Sequence, residues 1–316
     1  MPRAFITGIS GQDGSYLSER LVAEGYDVHA LAFSSEPTPS SPGVVLHCGD
    51  LTDIDRVRSL VVEIAPDEIY NLAAISSVAR SWQEPDLTAR INGLAAVGLL
   101  ESALQAQEAT GNAVRFVQAS SAEIFGEPAH SPQDEHTPLR PVNPYGAAKA
   151  YAHLMTGVYR GRGLHAVSAI LYNHESPRRP AQFVTRKITA GAAAIARGEA
   201  DSISLGNLDA RRDWGWAPDY VDALVRAARA DRADDYVIAT GQSRSVREFV
   251  AAAFAKAGVS DWERHVRVDP AFVRPADPSD LTGDSSRARK QLGWRPTTSF
   301  EEIVGRMVEA DLSQAD

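Results

Sequence analysis

Cysteine is nearly missing from this chain of 316 residues, which has only Cys48. A single cysteine excludes an internal disulfide and a thiolate metal cluster, so we expect Cys48 to be a small, buried apolar residue. The eight histidines are scattered, without an HExxH or similar spacing. The composition therefore predicts no metal site.

Long hydrophobic runs are also lacking, since none reaches the ~18 residues of a membrane span. The first residues, MPRAFITGIS, have neither the apolar core nor the cleavage site of a signal peptide. Basic residues are in deficit, with 32 Lys and Arg against 41 Asp and Glu, a formal charge of -9 and a pI near 5.4. We therefore expect a cytoplasmic protein that binds neither membranes nor nucleic acid.

The N-terminus has the pattern of a dinucleotide-binding βαβ unit. A short apolar run, RAFIT, breaks into GISGQDG, and an amphipathic helix and a second strand follow. Glycines spaced GxxGxxG let the backbone turn tightly and approach a pyrophosphate at the helix N-terminus, although a glycine-rich turn without a ligand has the same pattern. We assign cofactor binding to this turn, at Gly8, Gly11, Gln12, Asp13 and Gly14.

The choice between NAD and NADP stays open in the sequence. Residues 32–43 offer neither an acidic residue for a 2′-hydroxyl nor an arginine for a 2′-phosphate at the usual point. Ser34 can bond to either form, and Glu36 would mildly repel a phosphate. Asp50 and Leu51 stand at the end of the third predicted strand, and Leu72, Ala73 and Ala74 end the fourth. These residues either contact the cofactor or only pack in the core.

Four chemically active side chains fall within residues 118–149: Ser121, Glu123, Tyr145 and Lys149. Ser121 and Glu123 follow the fifth predicted strand, where ligand-facing groups of a doubly wound sheet lie. Tyr145 and Lys149 stand four apart, so a helix presents both on one face. A phenol has an unperturbed pKa of ~10, and we expect the adjacent ammonium to favour the phenolate.

The alternation of strands and helices predicts an α/β protein with a Rossmann-like doubly wound parallel sheet. We place the NAD(P)-binding domain at residues 1–172, with segments around 208–240 returning to it. Residues 173–316 mix helices, predicted at 186–197, 219–230, 245–257 and 300–311, with short strands. They form a smaller, mixed α/β domain, and the composition of the proline-rich segment 127–144 predicts a loop over the cleft.

Several strings together resemble one enzyme family nearly end to end. The strings are GISGQDGSYL, YNLAA, QASSAEIFG, YGAAKAYA, LYNHESPRR, FVTRKI, LGNLDARRDWGWAPDYVDA, SVREFV and LGWRP. They are similar to the GDP-mannose 4,6-dehydratases, a family of lyases within the extended short-chain dehydrogenases/reductases. The NHESPRR and GNLDARRDWG strings are the most specific of these.

The resemblance implies that the protein acts in nucleotide-sugar metabolism and that residues 173–316 bind the nucleotide sugar. It implies conversion of GDP-mannose to GDP-4-keto-6-deoxy-mannose by internal hydride transfer and loss of water. It implies that Tyr145 and Lys149, both also touching the cofactor, take the 4-hydroxyl proton. Glu123 then removes the proton on carbon 5 and, with Ser121, assists loss of water. The cofactor is expected to be tightly bound NADP, or alternatively NAD, regenerated in each turnover. Substrate contacts carried over from the family are Ser76, Asn173, Lys187, Asn207, Arg212, Arg274 and Asp277.

The sequence departs from the family at four points. An Arg-Arg pair that grips the 2′-phosphate and meets a neighbouring subunit is missing, so we expect a homo-oligomer that is a dimer rather than a tetramer. Ser121 replaces threonine and keeps the hydroxyl. Ile75 replaces glutamine and Asp277 replaces glutamate, which leaves room for a different hexose or base.

Two other enzymatic functions and one non-enzymatic function are alternatives to the dehydratase hypothesis. Another nucleotide-sugar dehydratase fits the same residues, whereas an epimerase or 4-keto reductase keeps Tyr145 and Lys149 but has no need of Glu123. A non-catalytic dinucleotide-binding sensor typically loses the Tyr/Lys pair, which is retained here. Glu123 is therefore the discriminating residue.

Overall fold

A parallel sheet lies at the centre of the computed structural model, which describes residues 1–33, 42–272 and 280–313. The described strands are β1 Arg3–Thr7, β2 Asp27–Ala32, β3 Val44–Cys48, β4 Glu68–Asn71, β5 Arg115–Ala119, β6 His165–Leu171, β7 Asn173–Glu175, β8 Ile203–Leu205, β9 Arg211–Trp216, β10 Asp235–Ile238, β11 Ser243–Ser245, β12 Val266–Val268 and β13 Asp280–Leu281.

Helices flank the sheet and build most of the second half of the chain. They are α1 Gln12–Ala23, α2 Ile54–Ile64, α3 Val78–Gln83, α4 Pro85–Ala89, α5 Ala95–Thr110, α6 Pro144–Gly161, α7 Val184–Ala196, α8 Ala217–Ala228, α9 Val246–Lys256, α10 Ser286–Leu292 and α11 Phe300–Ser313. The helices predicted after residue 185 are confirmed, with boundaries that differ by at most two residues.

The central sheet has the strand order β10-β6-β5-β4-β1-β2-β3, and all of its neighbours are parallel. Helices cover both faces, which is why inner strands such as RAFIT and HAVSAIL are apolar without alternation. Strand order reverses between β1 and β4, so the carboxyl ends of these strands border a crevice. The predicted Rossmann-like doubly wound sheet is confirmed.

Buried polar side chains cross the three strands beside that crevice. Thr7 Oγ1 donates to Asn71 Oδ1 at 2.7 Å, and Asn71 Nδ2 donates to Gln118 Oε1 at 2.8 Å. The Gln118 amide in turn donates to the Ala119 carbonyl at 2.9 Å. Because every member is paired, the row fixes the strand ends relative to one another.

A second core forms beyond residue 183, around β9, which pairs with β7, β11 and β13. Its apolar side chains come largely from α7, α9 and α11, and Trp214 of β9 lies against Phe249 and Phe300. The chain returns to the central sheet at α8, which packs on α1, and at β10, which pairs with β6.

The loop before α6 is tethered at its middle and at its ends. Gln133 is fully buried; its N–H donates to the Thr282 carbonyl at 2.8 Å, and its Oε1 accepts from the Tyr172 hydroxyl at 2.9 Å. A Cβ on Gly126 would stand 1.8 Å from the Arg140 carbonyl oxygen, so the two ends of the loop meet closely. The loop is therefore held by both halves of the chain.

The expectation that Cys48 is buried is wrong, because its side chain is exposed. It ends β3, the edge strand of the sheet, where Val45 and Leu46 are also exposed. An apolar strand pattern predicts burial only for a strand with neighbours on both sides. Across the described residues, every helix is too short or too polar to span a membrane.

Candidate active site

Helix α6 begins at the crevice and carries Tyr145 and Lys149. Asn143 caps it, since its side-chain oxygen accepts from the Gly146 N–H at 2.8 Å, and Pro144 fills the first helical position. A Cβ on Gly146 would lie 2.4 Å from the Glu123 carbonyl oxygen. Glycine at this position therefore lets the segment with Ser121 and Glu123 rest directly on the helix.

Lys149 is a buried ammonium group. Its Nζ donates to the Ala119 carbonyl at 2.8 Å and lies 6.0 Å from the centroid of the Tyr145 ring. Burial lowers the pKa of Lys149 to about 8, although the Asp13 carboxylate raises it in part. At neutral pH the group therefore remains mostly cationic.

Tyr145 departs from the sequence-based expectation. Burial raises the pKa of Tyr145 to about 12; a hydrogen bond with the Ser121 hydroxyl lowers it, and the Glu123 carboxylate raises it. The ammonium expected to favour the phenolate is bound to the Ala119 carbonyl instead of the phenol oxygen. In the protein alone, Tyr145 is a neutral phenol at pH 7.

Ser121 and Glu123 come from a short turn after β5. Ser121 Oγ accepts from the Glu123 N–H at 3.2 Å, which starts a single 3₁₀ turn over Ala122–Ile124. The Glu123 carboxylate accepts from Asn143 Nδ2 at 2.8 Å. The structure thus brings all four predicted catalytic side chains to one edge of the sheet.

The glycine turn fits a dinucleotide. Gly8 has a φ of +76°, and a Cβ there would come within 2.7 Å of the Ala73 nitrogen. A Cβ on Gly14 would stand 2.2 Å from the Gly8 carbonyl oxygen, so α1 packs tightly on β1. Helix α1 starts at Gly11 without a side-chain cap from the described residues, which leaves its first N–H groups available to a pyrophosphate.

The side chains of Gln12 and Asp13 are engaged within the protein. Gln12 accepts from Ser176 Oγ at 2.8 Å and donates to the His174 carbonyl at 3.1 Å. Asp13 Oδ2 lies 2.8 Å from His174 Nε2, while His174 Nδ1 lies 2.7 Å from the Tyr172 carbonyl oxygen. Any cofactor contact of Gln12 would therefore use its backbone.

His174 is held as an imidazolium between two oxygen acceptors. Burial lowers the pKa of His174, but the Asp13 carboxylate outweighs it and the net shift is upward. Burial likewise raises the pKa of Asp13, but His174 and Arg179 lower it below its usual range. The pair joins the glycine turn to β7 across the crevice.

Only some of the remaining residues predicted to bind the cofactor lie beside the glycine turn. Leu72, Ala73 and Ala74 follow β4 beside Gly8, and the Ala73 N–H donates to Thr7 Oγ1 at 3.2 Å. Asp50 is exposed, and one of its oxygens already accepts from Thr52, while Leu51 is buried. Ser34 lies outside the described residues.

The described substrate candidates come from the second half of the chain, apart from Ser76, which is exposed beyond β4. Asn173 begins β7, Arg212 is buried in β9, and Lys187 Nζ lies 3.6 Å from the Phe272 ring centroid. Asn207 is exposed and accepts from the Asp209 N–H. Arg274 and Asp277 lie outside the described residues.

Sequence reasoning gave no role to three residues that build this site. Asn143 could have been found as an N-cap, because an Asn-Pro pair precedes a helical run. Asn92 pairs with the Ile75 N–H at 2.8 Å and the Ile75 carbonyl at 3.0 Å, from a π-helical turn at Arg90–Leu94. His174 pairs with a residue 161 positions away, for which the sequence carries no local signal.

Residues 5–307 match the model of a protein family described as GDP-mannose 4,6 dehydratase. GDP-mannose 4,6 dehydratase 1 of Arabidopsis thaliana is 43% identical over 327 residues, covering 99% of this chain and 90% of that protein. Among solved structures, the UDP-glucose 4-epimerase of Thermus thermophilus in complex with NAD is 28% identical, with a TM-score of 0.85 and 98% of each chain covered. The RMD protein of Pseudomonas aeruginosa in complex with NADPH is 26% identical, with a TM-score of 0.81 and full coverage of both chains.

Proposed function

This chain belongs to the GDP-mannose 4,6-dehydratase family, and we propose that Ser121, Glu123, Tyr145 and Lys149 carry its reaction. The enzyme is an NAD(P)-dependent hydro-lyase that converts GDP-mannose to GDP-4-keto-6-deoxy-mannose. When bound, the nicotinamide cofactor accepts the hydride from sugar carbon 4 and supplies it to carbon 6, so the reaction has no net redox change.

Tyr145 takes the proton of the sugar 4-hydroxyl. Since burial raises the pKa of Tyr145 to about 12, positive charge has to stabilise its phenolate. Arg179 acts in this direction on the phenol, and the Lys149 ammonium lies 6.0 Å from the centroid of its ring. The hydrogen bond between the Ser121 hydroxyl and Tyr145 supports a role for Ser121 in bonding the same sugar oxygen.

Glu123 acts first as a base and then as an acid. The ketone at carbon 4 acidifies the proton on carbon 5, which Glu123 removes. The electron pair of that bond forms a double bond to carbon 6 as the carbon 6 hydroxyl leaves, and the proton held by Glu123 converts the hydroxyl to water. When carbon 6 receives the hydride, carbon 5 regains a proton that replaces the one lost to water, and Tyr145 supplies it from the proton it took from the 4-hydroxyl. A carboxylate suits both roles.

The observation that supports this function is the carboxylate beside the dyad. Glu123 is close enough to raise the pKa of Tyr145, and its backbone touches the helix that carries Tyr145 and Lys149. Epimerases and 4-keto reductases oxidise or reduce one carbon and need no second base. The carboxylate therefore favours elimination over the competing reactions.

Turnover of GDP-mannose without added reductant tests the assignment. We expect a product lighter by one water, and we expect Glu123→Gln to slow its formation by about 10²–10⁴-fold while nucleotide binding is retained. Ser121→Ala serves as the comparison, because it removes a hydroxyl from the same turn and keeps the base. Turnover by Glu123→Gln at the wild-type rate would overturn the role of Glu123, and turnover of a different nucleotide sugar alone would overturn the substrate.

Cofactor identity is a separate proposal: NADP is the resident cofactor, with NAD as the alternative. The family supports NADP, and the structural neighbours named above include one complex with each form. Mass spectrometry of the cofactor released on denaturation decides between them. A predominance of NAD would contradict the proposal.

Substrate holding falls to residues of the second half of the chain. We propose that Asn173, Lys187 and Arg212, with Arg274 and Asp277, bind the GDP and sugar groups, and that Ser76 and Asn207 contribute less. A guanidinium or ammonium suits phosphate oxygens, which supports Arg212 and Lys187. This division corresponds to a cofactor domain at residues 1–172, joined by segments around 208–240, and a substrate domain at 173–316.

A homodimer is the proposed assembly. Leu94, Tyr151, Leu154 and Val158 are each between 42% and 57% exposed, and the last three lie along one stripe of α6. We expect Leu154→Asp to reduce the mass measured by light scattering, and Val268→Asp, at an exposed site elsewhere, to leave it unchanged. A wild-type monomer would contradict the proposal.

We also propose a cytoplasmic location, to be tested by cell fractionation.

A further inference from the structure

Asn143 uses both ends of its side-chain amide at the active site. Its Oδ1 accepts from the Gly146 N–H at 2.8 Å, and its Nδ2 donates to Glu123 Oε2 at 2.8 Å. The residue is 4% exposed. Rotating the amide by half a turn would set its oxygen against a carboxylate and its NH₂ against an N–H, so only one orientation satisfies both partners.

We propose that Asn143 is a positioning residue for Glu123, and that it holds this carboxylate in place while tying it to the helix that carries Tyr145. The inference rests on the proposed role of Glu123 as the base. A charge-assisted hydrogen bond from a fixed donor restricts the rotation of the carboxylate. The cap fixes the donor, because the same amide is anchored on the Gly146 N–H.

Other capping residues do not combine these two functions. Aspartate caps a helix as well as asparagine, but it would set a second carboxylate against Glu123. Serine also caps, but its hydroxyl is shorter and its single oxygen would have to serve both contacts. Asparagine alone among the strong capping residues has a separate donor beside its capping oxygen.

The charged groups near Glu123 determine how the effect of an Asn143 substitution on the pH–kcat profile is interpreted. Lys149 reaches the cluster from α6, Asp13 from α1, and Arg179 from the segment after β7, and all of these act on Tyr145 or Lys149. Substitutions at Asn143 leave these groups in place. In Asn143→Ser, which adds no titratable group, a change in the acidic side of the pH profile therefore reports on Glu123.

Asn143→Asp and Asn143→Ser separate capping from donation. Both keep a capping residue, so we expect unfolding midpoints close to that of the wild type. We expect kcat to fall by about tenfold or more for Asn143→Asp and less for Asn143→Ser. The acidic limb of the pH–kcat profile should move to higher pH in Asn143→Asp. Appearance of reduced-nicotinamide absorbance on mixing with GDP-mannose should stay within a few-fold of the wild-type rate, because that step does not use Glu123.

Ser245→Ala provides the matched control. Ser245 caps α9 through the Glu248 N–H, so this change removes a helix cap without touching the Glu123 turn. It should lower stability and leave the pH profile as it is. If it shifts the profile as Asn143→Asp does, the effect belongs to capping and the inference fails.

The outcomes separate this inference from the proposed function. A wild-type rate and pH profile in Asn143→Asp, with Glu123→Gln inactive, would overturn the role of Asn143 alone. A wild-type rate in Glu123→Gln would overturn the base itself. Equal losses of the hydride step and of overall turnover would mean that Asn143 only shapes α6, which also contradicts the inference. If Asn143→Asp does not fold, Asn143→Ser carries the same readouts.

Discussion

Two helices begin at the same crevice, and their first turns are built in opposite ways. Helix α1 starts at Gly11, with no side-chain cap from the described residues, whereas α6 starts at Asn143, whose side chain occupies the Gly146 N–H. Pro144 also removes one N–H from the start of α6. The open start suits an anionic ligand, and the closed start suits a fixed set of reacting groups.

The two helix starts use the N–H groups of the first turn for different purposes. At α1, no side chain of the described residues caps the first turn, so its N–H groups are left for a partner from outside the chain. At α6, the partner is a side chain of the protein, and the amide left over from capping reaches Glu123. Changes that close the open start or disturb the closed helix should therefore affect different properties.

The largest effect is expected for Gly14→Ala in α1. The added Cβ would meet the Gly8 carbonyl oxygen at 2.2 Å and the Ile9 Cα at 2.7 Å, and backbone atoms cannot move aside without shifting the turn. We expect a loss of stability of about 3 kcal/mol or more, measured by urea denaturation, together with loss of bound cofactor. Gly11→Ala is the control, since its Cβ meets only the Gly8 oxygen at 3.3 Å. Equal stability of the two variants would contradict the tight packing of α1.

Lys149→Met should change how stability depends on pH. The pKa of Lys149 is about 8 in the folded protein against 10.5 ordinarily, so the unfolded chain binds more protons between these values. Stability due to Lys149 is therefore lowest below pH 8 and rises up to about pH 10.5, by about 3 kcal/mol in total. The difference in unfolding free energy, wild type minus Lys149→Met, should increase across pH 8–10. A difference that stays flat would mean that Lys149 is not buried as a cation.

The smallest effect is expected for Gly11→Asp, which closes the open start of α1. The backbone at Gly11 has a φ of -74°, which any residue adopts, and a small shift of the Gly8 carbonyl oxygen, 3.3 Å from the added Cβ, lets aspartate cap the N–H groups. Its charge also opposes a pyrophosphate, and we expect the affinity for the cofactor to fall by about tenfold while the stability stays close to that of Gly11→Ala. Titration calorimetry with Gly11→Ala as the reference measures this. Unchanged affinity would show that the cofactor does not use this helix start.

Local patterns in the sequence predicted the glycine turn, the strands and helices, and the pair on α6, because each is set by a few neighbouring residues. Two features had no local pattern. The Asp13–His174 pair joins residues 161 positions apart, and the protonation of Tyr145 depends on burial from several elements. Asn143 lies between these cases: its capping contact is readable from Asn-Pro, but its contact with Glu123 depends on how β5 meets α6.

Gln133 also determines when the site is completed during synthesis. Its partner Thr282 is 149 residues later in the chain, which a ribosome adds in roughly 7–30 s. Strands β1–β6 emerge long before that point, so the dinucleotide-binding crevice can be assembled while the loop ahead of α6 still lacks its anchor. In a nascent chain the cofactor-binding half is thus made first. The loop before α6 forms its hydrogen bonds to Thr282 only after residues near 282 have been synthesised.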